Sequence, residues 1–504
     1  MSKPSRRPQR EKQKQDWKER KKARRELNKR LAEEGLERPA NPTLSNAKSA
    51  FETVEKEREE RQTVVEEHLK VLRTLLPGLM ARLARIKDPR NPKTIRHKKT
   101  ALFVYGLLMF VLQFSSRREA NRKLSMPVLL ENLRLLFPEL ETLPHHDTLN
   151  RFLCRIKAEE IETALVGEIR RLISNRKFRN HLVEHCYLIA IDGTQKLTRN
   201  YCWSEKCLKR RVGEDHQYYV YVLEADLVLG NGVTIPLLSE FLEYTGDESE
   251  ENKQDSELKA FYRLAKRLKK YFPCLSIALL LDGLYASGPV IALCHRYKWD
   301  YMIVLKDESL PSVWDEAHGL RRLQTGQPLD QFWRDRRQHF WWVNDIEYGY
   351  GPNGRFKKRV HVVVCEETWE DIDSKTKAVV TKTSRHAWIS SKPLTHKNVA
   401  RRCNQMGRCR WKIENNILKE KHHGYQYEHC FSYDWNAMKG FHYLMRLGHL
   451  LNTLAHKSIY LAERVRKIGI RGMIQFVRET LTGPWLDAER IRHLLTRTHQ
   501  LRLE

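Results

Sequence analysis

Three carboxylates that lie far apart in the chain stand where they could share a metal site. Asp192 ends the apolar run YLIAID (187–192) and precedes Gly193-Thr194, while Asp282 ends the apolar part of LSIALLLDG (275–283) and precedes Gly283. At adjacent strand ends of an α/β sheet two such groups meet. They share one site comfortably only with a cation between them, because bare like charges repel. Oxygen-only ligation favours Mg²⁺ or Mn²⁺ over Zn²⁺. Taken singly, each Asp equally suits a tight turn before glycine. The third carboxylate, Glu414, sits in GRCRWKIENNILKEKHHGY (407–425). At about 100° per residue Arg410, Glu414 and Lys421 fall on one narrow helix face, a ligating carboxylate flanked by two phosphate-binding cations. An Arg-to-Glu i,i+4 ion pair with a lysine beyond it gives the same pattern.

The elements that must position these residues follow from periodicity. YLIAID, YYVYVLEADLVL (218–229) and VTIPLLSEFL (233–242) read as strands, the last two joined by a Gly230-Asn231-Gly232 hairpin turn. SELKAFYRLAKRLKKYF (256–272) is an amphipathic helix; LSIALLLDG and YMIVLK (301–306) are buried strands with a helix from about 286 between them. Apolar strands alternating with helices point to parallel strands covered on both faces. Three strands, a helix, a strand, a helix and a strand form the order of a ribonuclease H-like fold. The chain is therefore expected to be α/β, with a ribonuclease H-like core over 181–309 and 392–460, the latter carrying Glu414. Residues 310–391, with HFWWVNDIEY, KKRVHVVVCEE and AVVTKTSRHAWISS, read as a β-rich insertion in that core.

The flanks are helical. Residues 76–180 form a helical, DNA-binding N-terminal domain, with 101–114 (ALFVYGLLMFVLQF) as a buried core helix and Asp147 as N-cap of a helix over 148–156. Residues 1–75 are a basic arm and a charged helix, the helix running from about Leu44 and stopping at Pro77-Gly78. Residues 1–40 hold 15 Lys and Arg against 7 Asp and Glu with almost no large apolar side chain, so they are expected to be extended or only transiently helical. The last stretch, 461–504, is basic and helical.

Charge sets the class of partner. The 504 residues include 92 Lys and Arg against 63 Asp and Glu, a net charge of +29, which excludes an acidic or neutral metabolic enzyme as the default. A polyanion is implied, nucleic acid first, because each cation that neutralises a phosphate releases a counterion. With 41% apolar residues and 12 Trp, 19 Tyr and 16 Phe, a wholly disordered basic protein is excluded too. The longest apolar run, 101–114, falls short of the roughly 20 residues of a spanning helix, and no signal-peptide pattern opens the chain. Ten scattered cysteines fit a reducing compartment, so a cytoplasmic location is expected.

Together these residues resemble the DDE transposases of bacterial insertion sequences, in particular the group with a β-rich insertion before the final catalytic helix and a Tyr-x2-Arg-x3-Glu-x6-Lys signature. Arg410, Glu414 and Lys421 match that signature; the Tyr position is Gly407. IDGT around Asp192 and LLLDG around Asp282 look like the group's two Asp motifs, and PHHDTLNRFL (144–153), QDSELKA (254–260) and HAWISS (386–391) are similar to stretches of it. The resemblance spans residues 90–460. It implies that Asp192, Asp282 and Glu414 are catalytic and hold two Mg²⁺ ions, with Mn²⁺ as substitute, Asp192 ligating both. It implies DNA-phosphate contacts at Arg410 and Lys421. The implied partners are double-stranded DNA, as terminal inverted repeats and target, and a second copy of the chain; the implied location is the bacterial cytoplasm, at the nucleoid. Two alternatives compete: a ribonuclease H-like host nuclease or catalytically degenerate DNA-binding relative, and a non-catalytic basic protein that packages nucleic acid.

Other motifs carry less. Asp315-Glu316-Ala317-His318 spells a helicase motif, but no GxxxxGK[ST] loop accompanies it. Cys202 and Cys207 with His216 could begin a zinc knuckle, yet no second pair has fitting spacing. His422 and His423 suit a phosphate contact or a solvated helix end. Trp341, Trp342 and Trp388 suit base stacking or, better for strand-like runs, core packing.

Overall fold

A computed structural model describes residues 7–36, 51–138, 140, 142–243, 253–323 and 328–503. Parts of the basic arm, the start of the charged helix and the beginning of QDSELKA lie outside the described residues or side chains. The protein is mixed α/β. Its chain divides into a helix-rich unit, residues 43–278 and 409–504, and a strand-rich unit made of the rest.

In the helix-rich unit, the apolar Lys99–Val111 helix is buried from Ala101 to Phe110 on every face, as its sequence without a polar side requires. It crosses the Trp435–His456 helix where small residues allow close approach: a Cβ on Gly106 would lie 2.7 Å from Leu444, and one on Gly448 2.7 Å from Phe110. Helices from both ends of the chain thus share one core. The helix expected over 148–156 runs from His146 to Leu153, and its cap is His145, whose ring accepts the Asp147 N–H; Asp147 is inside the first turn.

Four antiparallel strands belong to this unit: β1 (Tyr187–Arg199), β2 (Leu208–Val212), β3 (Asp215–Val228) and β4 (Thr234–Leu242). β3 is central, with β1 along one edge and β2 then β4 along the other. The hairpin between β3 and β4 is where the glycines place it, Gly232 taking φ +82°. β2 escapes a periodicity reading because LKRRV looks like a basic loop; pairing with β3 makes it a strand. Asp192 does not end its strand. β1 continues through Gly193 and Thr194, which pair with Leu223 and Val222, so the turn reading of Asp-Gly fails here.

β5 (Ile277–Leu281) carries the chain into the strand-rich unit. There β6 (Asp300–Val304), β7 (Leu329–Trp333), β8 (Arg336–Tyr350), β9 (Phe356–Ile372) and β10 (Val379–Ser390) form an antiparallel ladder in the order β6-β10-β9-β8-β7. The stretch expected as an insertion is therefore continuous with β6, through pairs from Trp388↔Val304 to Ser390↔Met302.

The N-terminal arm overturns its expectation. Arg7–Glu33 is a 27-residue helix. Leu27 and Leu31, one turn apart, pack on Ile372, while Arg24 meets Asp371 at 2.7 Å and Arg30 pairs with Glu370. Two leucines are too thin a stripe to signal burial in a basic sequence; β9 supplies the apolar and acidic surface that makes them one.

Candidate active site

β1 and the Trp411–His422 helix bring Asp192, Arg410 and Glu414 together within the helix-rich unit. Arg410 closes a 3₁₀ turn (Gly407–Arg410) immediately before that helix. Its Nη2 donates to Glu414 Oε1 at 2.5 Å and its Nη1 stands 4.0 Å from Asp192 Oδ2. The Arg410 side chain is 8% exposed, whereas the Glu414 side chain is 44% exposed and opens the site to solvent.

Burial pushes the Asp192 carboxyl up to about 7; Arg410 pulls it down, Glu414 and Glu257 push it further up, and the Gly193 N–H, 3.1 Å from Oδ1, pulls it down. Glu257 is a site residue that motif reading missed, although it lies in QDSELKA. It is buried and hydrogen-bonded to the Tyr221 hydroxyl, whose own proton is held mainly by burial and then by Glu257. The Tyr221 ring lies over Gly193, where a Cβ would come within 2.5 Å of the phenol oxygen. Close approach by an aromatic ring, rather than a turn, is what requires glycine after Asp192.

Asp192 and Glu414 share the one guanidinium, and Glu257 adds its charge to Asp192, which leaves the site short of positive charge. The Asp192 and Glu414 donors are oxygens, the type that hard divalent cations take, but among the described residues no third ligand joins them within metal-ligand spacing.

A buried ionic network fixes the helix that carries Glu414. Asn416 donates to Asp226 Oδ2 at 2.8 Å; Glu420 meets Arg446 at 3.1 Å and His449 at 2.5 Å; Arg446 reaches Asp226 at 2.5 Å. Glu224 accepts from Tyr427 Oη at 2.7 Å and Ser239 Oγ at 2.6 Å. Burial raises Asp226 to about 6, while for Glu224 and Glu420 burial is outweighed by the charge of Arg446 and the adjacent histidines, leaving both below the usual range. Asp192 is paired across the ladder with Glu224, so site and network share one face of β1 and β3. The signal was in the sequence: acids inside YYVYVLEADLVL and an arginine inside FHYLMRLGHLL, in otherwise apolar runs.

Asp282 lies in the strand-rich unit. It follows β5 and precedes the Gly283–Tyr285 3₁₀ turn, with Oδ2 3.4 Å from Lys306 Nζ. The Lys306 stem passes over Gly283, where a Cβ would sit 2.9 Å from its Cγ. Lys421 pairs with Glu428 at 2.9 Å rather than with Glu414. At the helix end a cavity of about 590 Å³ is lined by His422, Gly424, Lys123, Arg471 and Arg478, among others. At 407, the Trp388 indole fills the space a side chain would need, with Nε1 2.8 Å from a built Cβ.

Trp388 and Trp341 are core residues. Among the described residues the His/Cys/Asp/Glu cluster with metal-ligand spacing is His145, His146 and Asp147, so Cys202, Cys207 and His216 form none. His318 stacks on Trp314, which explains that stretch as packing. No helix among the described residues is long and apolar enough to cross a membrane.

No curated protein matches the chain. Residues 80–167, the helical region from the Leu79–Arg85 helix into the Glu159–Ser174 helix, match the family model described as DDE_Tnp_1-associated, which links the chain to transposases of the DDE type.

Proposed function

We propose that the chain is a DDE transposase of the insertion-sequence type, with a ribonuclease H-like core, which cleaves phosphodiester bonds at element ends and joins the freed 3′-hydroxyl to target DNA. The observation that carries this reading is the convergence of Asp192 and Glu414, from strand and distant helix, on one buried arginine in a chain that also bears the DDE_Tnp_1-associated match.

Asp192, Glu414 and Asp282 would hold two Mg²⁺ ions, or Mn²⁺ in their place, Asp282 entering on its sequence motif. Bound there, the ions supply the charge that makes a hydroxyl nucleophilic near neutral pH and stabilises the leaving oxygen. The protein's own residues do the positioning. Tyr221 and Glu257 fix the backbone at Gly193, the Arg446 network fixes the helix of Glu414, and Arg410 and Lys421 hold phosphates of the processed strand. The basic cavity beside His422 extends this cationic surface past the helix end. Two ends are brought together by a homodimer on DNA, in the bacterial cytoplasm.

The test is cleavage with Mg²⁺ of DNA carrying the element's terminal inverted repeats. Asp192→Ala, Asp282→Ala and Glu414→Gln are each expected to abolish it while DNA binding persists. Retained cleavage in any of them overturns the site assignment. Binding without cleavage by the unaltered chain would instead favour the degenerate, DNA-binding alternative.

A further inference from the structure

Arg410 occupies the position that a catalytic cation would contest. Its guanidinium reaches both Asp192 and Glu414, its side chain is almost entirely buried, and its Nε is buried with no hydrogen-bond partner. A buried guanidinium left with unmet donors is poorly satisfied by the two carboxylates alone. Glu414, by contrast, is open enough to exchange its partner for one from solvent.

A divalent ion taking oxygens from both carboxylates competes directly with the arginine for the same lone pairs. An arginine that loses its carboxylates inside a protein needs another anion, because an unpaired buried charge is costly. Phosphate suits the planar fork best, since it accepts two parallel hydrogen bonds.

We propose that Arg410 is an internal counter-ion that holds Asp192 and Glu414 until metal arrives, and is then handed over to a DNA phosphate. Metal uptake and DNA binding are thereby coupled through one side chain. This rests on the reading of Asp192 and Glu414 as metal ligands. Coupling of this kind is reciprocal: whatever factor the metal adds to DNA affinity, DNA adds to metal affinity.

The experiment uses the full chain with two readouts that need no turnover. Mn²⁺ binding is measured by electron paramagnetic resonance without DNA, for the unaltered chain, Arg410→Gln, Arg410→Lys and Asp192→Asn. Removing the competing charge should tighten Mn²⁺ binding about fivefold or more in Arg410→Gln, with Arg410→Lys between, at the lower end of typical coupling factors. A fluorescein-labelled DNA duplex is then titrated by anisotropy with and without Ca²⁺. The unaltered chain should gain about fivefold or more in affinity with Ca²⁺, and Arg410→Gln should gain nothing.

Mn²⁺ affinity that is unchanged or weaker in Arg410→Gln, or an equal Ca²⁺ gain in both proteins, overturns the proposal. Should Arg410→Gln fail to fold, Arg410→Lys decides by the same comparison. The underlying reading fails in a different way: Mn²⁺ binding that is absent from the unaltered chain, or that survives Asp192→Asn, removes Asp192 as a ligand and the counter-ion role with it. Binding that depends on Asp192 but ignores Arg410 sinks only the counter-ion.

Discussion

Gly407 stands where the resembled signature has tyrosine, and the structure gives the reason at atomic scale. The Trp388 indole fills that space, so the position is closed to any side chain unless Trp388 moves. Restoring the motif should therefore harm the protein. Gly407→Tyr is expected to lower stability in urea unfolding by about 1–3 kcal/mol through overpacking, with no gain in DNA affinity. The double variant Gly407→Tyr/Trp388→Ala should recover part of the loss, and an unchanged midpoint for Gly407→Tyr would show that the ring moves freely. Gly193 makes the same point beside Asp192: glycine before Thr194 reads as a turn in the sequence, yet it is needed because Tyr221 from β3 covers it.

The Trp411–His422 helix shows how an element is held by buried charge as well as by apolar packing. Its Asn416 and Glu420 are tied to β3 and to the Trp435–His456 helix through Arg446, which serves three buried carboxylates. Removing one partner of a buried ionic cluster leaves uncompensated charge, which costs about 3–5 kcal/mol. Arg446→Met should incur a loss of that size in denaturant unfolding and should speed amide exchange in the 411–422 helix. If exchange there stays unchanged, the network does not position Glu414. The Arg7–Glu33 helix is the opposite case: Leu27 and Leu31 on Ile372 and the charge pairs of Arg24 and Arg30 with β9 anchor its C-terminal half.

Across the whole molecule, burial has neutralised groups whose sequence context gives no warning. His456 and His68 face each other edge to face in the helical core. Burial lowers both, His456 to about 3, helped by His68 and His449. Its folded pKa lies below the unfolded value near 6.5, so between those limits the unfolded chain binds the extra proton. Stability from this histidine is present above pH 6.5 and is lost as pH falls through that window, by about 1.4 kcal/mol per pH unit. Because His456 Nε2 is buried without a partner, an apolar replacement gives up little there at pH 7. His456→Leu should gain about 2 kcal/mol relative to the unaltered chain on going from pH 6.5 to pH 5, read from urea unfolding at both. Glu162, raised by burial to about 7, acts in the opposite direction but equally in both proteins. A parallel pH dependence for the two would refute the assignment.

The sequence by itself determined the strands around Asp192, a buried apolar helix within 101–114, the Gly230–Gly232 hairpin and the pairing of Arg410 with Glu414, because these rest on short-range periodicity and on i,i+4 geometry. It also carried the charge excess that points to a polyanion. Tertiary structure alone decided the rest. Whether Asp-Gly at 192–193 turned or ran on depended on a partner strand; whether a basic arm was helical depended on β9; whether Lys421 faced Glu414 or Glu428 depended on the fold of the following loop. Glu257 and Arg446 entered the site and its support only when distant segments met. Such choices are set by long-range pairing and by the cost of burying charge, and neither is written in local spacing.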